Sequence, residues 1–148
     1  MLLHLLFLLP AAYPLYIGGA DMAEFGYFTA RVYTSKGEIP VSDASVVIES
    51  NDMSSILGAR ITDEDGRIAP IIISTPNKSE SQSPGSEEQP FASVNVRISH
   101  PRYYTYYIRN AQVFEGETSI ADAELIPIDF SSDYPFGALD FSVTPQNL

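Results

Sequence analysis

The sequence predicts an all-β fold, a single antiparallel β-sandwich of about seven short strands. Short runs alternate apolar and polar residues at period two, and turn-forming Gly, Pro and Asp residues separate them. No segment carries apolar residues at sustained helical spacing, and no repeat of fixed period is present.

The strands follow in order. In residues 26–34, GYFTARVYT, Phe28, Ala30 and Val32 share one face and Thr29, Arg31 and Tyr33 the other. Lys36-Gly37 turns the chain, Pro40 presets a bend, and ASVVIE (44–49) alternates again with β-branched residues. Residues 56–62 lead into Asp63-Glu64-Asp65-Gly66, whose Asp-Gly pair predicts a hairpin into residues 68–74. TPNKSESQSPGSEEQP (75–90) is polar and interrupted by Pro, so it buries too little to offset its ordering entropy and reads as a loop. Strand pattern resumes in FASVNVRIS (91–99), then in 103–109 and 120–128. These boundaries divide the chain into an apolar leader (1–21), a sandwich domain (25–128) and a C-terminal tail (129–148).

Composition narrows the function. The chain has 148 residues, 45% of them hydrophobic, which suits one buried core. Nineteen acidic against eight basic side chains give a net charge of -11, and nucleic acid needs clustered cations, so it is excluded as a partner. Cysteine is absent, which removes disulfides, thiolate zinc sites and thiol nucleophiles. Tryptophan is absent too, so nine Tyr and eight Phe supply the rings of the core.

Residues 1–20, MLLHLLFLLPAAYPLYIGGA, are apolar throughout. Two readings fit them. One is a secretory signal cleaved after Ala20, without the usual positive start. The other places the true start at Met22, since Gly18-Gly19 can be encoded by the ribosome-binding sequence GGAGG. Pro10 and Pro14 break the hydrogen-bond ladder of a spanning helix, so no stable membrane span is expected.

Three segments taken in order resemble the carboxypeptidase-regulatory-like (transthyretin-like) sandwich modules of clostridial spore cortex-lytic and peptidoglycan-binding proteins. They are ARVYTSKGEIPVSDASVVI, TDEDGRIAPIII and PFASVNVRISHPRYYTYYIRNAQVFEGETSIADAELIPI. The resemblance implies a noncatalytic bacterial accessory module acting through protein or peptidoglycan contacts. It also implies a location at the spore or cell envelope, reached by secretion if the leader is a signal, or from the cytoplasm if Met22 is the start.

No catalytic, cofactor or metal residues are assigned. His4 lies in the leader, which leaves His100 alone, and H-E-x-x-H is absent. Asp63, Glu64 and Asp65 lack the further oxygen ligands of a calcium loop and read as a turn. The transthyretin-like enzyme of purine breakdown ends in Tyr-Arg-Gly-Ser, whereas this chain ends TPQNL. The chain is therefore expected not to be an enzyme and to need no cofactor. A structural alternative is a Gram-positive surface sandwich with a Lys–Asn isopeptide bond. Lys36 falls in a turn, however, and residues 119–128 offer Asp122 but no Asn.

The remaining candidate is the Tyr-rich run. Alternation puts Tyr104, Tyr106 and Ile108 in the core and Tyr103, Thr105, Tyr107 and Arg109 outside. Tyr103, Tyr107 and Arg109 thus form the expected binding surface, a platform for sugar or peptide.

Overall fold

The computed structural model describes residues 24–81, 84–85, 89–129 and 138–142. Both leader readings lie outside the described residues. Two β-sheets face each other across one apolar core, as an all-β sandwich requires. The first sheet is built on β1 (Glu24–Thr34). β8 (Thr118–Glu124) runs parallel along one of its edges, while β5 (Ile71–Thr75) and β2 (Ile39–Pro40) pair antiparallel with its two ends. The second sheet has the order β4 (Ile56–Ile61), β3 (Ser45–Ser50), β6 (Phe91–His100), β7 (Tyr103–Phe114) and β9 (Ala138–Ser142). Its pairs are antiparallel except β7–β9, which is parallel. The tail thus contributes a strand. The acidic loop holds one helical turn, Lys78–Ser81.

Alternation fills the core as the sequence predicts along β1, where Phe28, Ala30 and Val32 are buried. They meet Val46 and Ile48 of β3 and Val94, Val96 and Ile98 of β6. Burying such aliphatic side chains stabilises the fold by about 1.5–3 kcal/mol each. Two of the buried threonines find partners. Thr62 Oγ1 accepts the Ala44 N–H at 2.9 Å and donates to the Val41 carbonyl at 2.7 Å. Thr34 Oγ1 donates to the Leu125 carbonyl at 2.9 Å.

The expected hairpin at Asp63–Gly66 is a crossover instead. β4 belongs to the second sheet and β5 to the first, so the turn carries the chain from one layer to the other. Asp63 Oδ1 accepts the N–H groups of Asp65 and Arg67, each at 2.9 Å. Gly66 has φ +72°, and a Cβ there would lie 2.2 Å from the Val32 carbonyl oxygen. Only glycine lets the turn sit this close to β1.

β7 departs from simple alternation. Val94 pairs with Ala111 but Val96 with Ile108, and Ile98 pairs with Tyr106 but His100 with Tyr103. β7 therefore carries one extra residue at each of two bulges. Asn110, in the second, has φ +59°, which Asn tolerates better than most residues.

Candidate functional site

The first bulge rearranges the expected Tyr platform. Tyr103 and Tyr106 both pack against the core, and the Tyr103 ring meets the His100 ring edge-on at 5.1 Å. Tyr103 therefore does not belong to an outward triad. The extra residue between it and Tyr106 puts both rings on the inner face, while Tyr104 is not among the side chains packed on the core. His100 is the last residue of β6, its Nδ1 accepting the Arg102 N–H at 3.1 Å across the turn into β7.

Tyr107 and Arg109 stay together. The Arg109 guanidinium lies over the Tyr107 ring at 5.5 Å and reaches Met53 Sδ at 3.4 Å. Met53 sits in the β3–β4 turn, which Asp52 organises by accepting hydrogen bonds from Ser50 Oγ, Ser54 Oγ and the Ser54 N–H. The Ser50 hydroxyl foremost, with Ser54, holds the Asp52 carboxyl at about 2, below its ordinary 3.8. Arg97, opposite Tyr107, is paired with Glu49 at 3.4 Å. The cations of this face are thus already engaged.

The outer face of the first sheet is different. β1 presents Phe25, Tyr27, Thr29, Arg31 and Tyr33 outward, a stripe about 26 Å long. Tyr27 is flanked by Ile72 of β5, and Thr29 by Ile120 of β8. Phe25, Tyr27, Ile72 and Ile120 are 40–66% exposed, which makes this half of the face apolar. The other half is charged. Arg31 lies between Arg67 and Asp122, bonded to Asp122 at 2.9 Å and stacked on Tyr33 at 5.1 Å. The Arg67 guanidinium has no hydrogen-bond or ion-pair partner among the described residues.

Two shallow clefts of about 350 and 450 Å³ meet at Arg31 and Arg67. One is walled by Tyr33, Gly37 and Pro40, the other by Thr29, Ile68 and Ile120. The surface thus offers flat rings and aliphatic groups beside two guanidiniums, a pattern suited to an elongated ligand with an apolar face and a carboxylate. Sequence alternation already put Thr29, Arg31 and Tyr33 on one face. The missing signal was Arg67, which lies 36 positions away in the chain and arrives only through the crossover.

The Asp63 turn and the isopeptide alternative resolve differently. Asp63 is spent on the turn's own N–H groups, and no group of three potential metal-ligating side chains gathers among the described residues. Asp122 is half-exposed and paired with Arg31, and Lys36 is exposed in its turn, unlike the buried acid and lysine that an isopeptide bond needs. No helix among the described residues is long and apolar enough to cross a membrane.

No protein-family model matches the sequence, and no curated protein matches it. Among solved structures, a putative carbohydrate-binding protein from Bacteroides uniformis is similar at 9% identity and TM-score 0.47, over 69% of this chain and 41% of that one. The Bacillus anthracis TIE protein is similar at 14% identity and TM-score 0.45, over 74% and 20%. Catechol 1,2-dioxygenase from Pseudomonas arvilla C-1 is similar at 17% identity and TM-score 0.47, over 84% and 62%. The chain spans less than half the length of the first two. At these identities and TM-scores, none of the three bears on what this chain binds or catalyses.

Proposed function

We propose that the chain is a noncatalytic binding module that holds an acidic glycan on the outer face of its first sheet. The observation that carries this reading is the row Arg67–Arg31–Asp122 beside exposed Tyr27 and Ile120, with the Arg67 guanidinium unpartnered among the described residues. Sugar rings pack their C–H faces on aromatic and aliphatic side chains, and a guanidinium takes a carboxylate in bidentate geometry. The sequence resemblance to modules of cortex-lytic proteins makes cortex peptidoglycan, whose stem peptides carry carboxylates, the first ligand to test. On this reading the chain works at the spore or cell envelope.

Co-sedimentation with purified cortex peptidoglycan tests it. Arg67→Ala is expected to weaken binding at least about tenfold, with thermal stability unchanged because the side chain is exposed and makes no pair among the described residues. Tyr107→Ala, on the opposite face, is expected to bind like the wild type. Equal binding by Arg67→Ala, or no binding by the wild-type protein, would overturn the reading.

A further inference from the structure

Among the described residues β4 is the outermost strand of the second sheet, and its open edge is unusually apolar for an exposed surface. Ile56, Leu57 and Ile61 are 42–67% exposed, and the strand contains no Pro, Lys or acidic residue. Edge strands are commonly blunted by such residues. Arg60 is the only charge on the strand, and it bonds the carbonyl of its own neighbour, Ala59, at 2.8 Å.

We propose that the free edge of β4 pairs with β4 of a second copy, giving a two-fold antiparallel dimer. The hydrogen-bond pattern and the charge of Arg60 together select one register. The Thr62 N–H and carbonyl both face β3, bonding Ala44 and Asp43. By alternation, Ala59 and Ile61 turn theirs to the open side. A two-fold axis normal to the sheet pairs residues of one face with each other, and an axis at Arg60 would set two like charges opposite, so the axis falls at Ala59: Ala59 meets Ala59 of the second copy and Ile61 meets Leu57.

This register is self-complementary on both faces. On the outer face it lines up Leu57, Ala59 and Ile61 with the same three residues reversed. On the inner face each Arg60 falls opposite Gly58 of the second copy, the position with no side chain to obstruct it. Gly58 cannot carry one, because a Cβ there would lie 2.6 Å from Ile71 Cγ2. A different strand would have to reproduce this Gly–Arg spacing, which a second copy supplies by symmetry. Three large exposed apolar side chains fall short of the roughly 800 Å² per partner of a standard interface. The dimer is therefore weak and concentration-dependent. Because each copy carries a net charge of -11, added salt strengthens it.

Sedimentation equilibrium of the full chain, with hydrogen exchange read at Ala59 and Ile61, tests the proposal. The expected result is a monomer–dimer equilibrium in which these two amides exchange more slowly as concentration rises. Ala59→Pro removes an N–H on the free side only, and Ile61→Lys puts a charge at an exposed position. Each is expected to weaken the dimer at least about tenfold. A wild-type chain that stays monomeric overturns the proposal, as does an oligomer unaffected by both variants, which another surface would hold. Amides already protected in the monomer also overturn it, since a segment of the same chain would then cover the edge.

Discussion

β1 and β7 are both flanked on two sides within their sheets, yet they obey different rules. β1 keeps one phase for eleven residues, with Gly26, Phe28, Ala30, Val32 and Thr34 all inward. β7 changes phase twice, its core-facing residues running Tyr103, then Tyr106 and Ile108, then Ala111 and Val113. The segment between the two bulges, Thr105–Arg109, is the part of β7 that pairs with β9. A regular strand offers a straight edge to long partners, whereas bulges bend a strand and confine its second partner to a short stretch. The regular strand consequently carries the long outer stripe, and the bulged one gives up a Tyr to the core.

The largest effect expected from this contrast is at Phe28, which is fully buried in the phase-constant strand. Phe28→Ala should cost about 3–5 kcal/mol in urea unfolding, while its outward neighbour Tyr27→Ala should cost less than about 1 kcal/mol. Similar costs for the two would mean that β1 does not hold its phase. Asn95 comes next. Its Oδ1 accepts the Asn110 N–H at 3.1 Å, and its Nδ2 donates to the Asn51 carbonyl at 3.0 Å, tying the second bulge to the β3–β4 turn. Asn95→Ala should cost about 1–2 kcal/mol by removing the partners of the half-buried Asn110 N–H and of the Asn51 carbonyl, and it should speed hydrogen exchange at Asn110.

These two strands also mark where the sequence was legible. The inward set of β1 follows from period two alone, as do Val94, Val96 and Ile98 of β6. On β7, alternation placed Tyr106 and Ile108 correctly, put Tyr103 on the wrong face and assigned to the core a Tyr104 that does not pack there, because a bulge adds a residue without changing composition. The apolar parity shift from Ile108 to Ala111 was the readable trace of the second bulge, but the predicted strand stopped at Arg109. The Asp63–Gly66 turn was legible as a turn and not as a crossover. Asp-Gly chemistry fixes local backbone shape, whereas the choice between pairing back and changing layers depends on Gly66 fitting against Val32. Arg67 joined the candidate surface through that same crossover and so could not be placed by spacing.

Asn110 offers a smaller test of the second bulge. Its φ of +59° is a left-handed conformation that Asn accepts and Ala resists. Asn110→Ala should lower stability by about 1 kcal/mol, whereas Asn110→Gly should leave it within a few tenths of a kcal/mol. If the two variants unfold at the same urea concentration, the bulge has relaxed into an ordinary strand and the phase change does not need it.

The smallest effect appears only at alkaline pH, where the two strands meet. Tyr106 lies between the bulges of β7, and burial foremost pushes its phenol above its ordinary value of 10.0. The charges of Tyr33 on β1 and Glu124 on β8 act in the same direction, since each disfavours a phenolate nearby. In the unfolded chain Tyr106 releases its proton near the ordinary value, while the folded chain holds it to higher pH. The folded state thus binds more protons above about pH 10, so stability is fully present below that pH and falls as pH rises through the folded value. Tyr106→Phe should remove this part of the decline and leave stability at neutral pH little changed. Urea unfolding of both proteins from pH 8 to pH 11 measures it. Parallel curves would mean that the Tyr106 phenol is as free in the fold as in the unfolded chain, and that the ring does not reach the interior between β1 and β8.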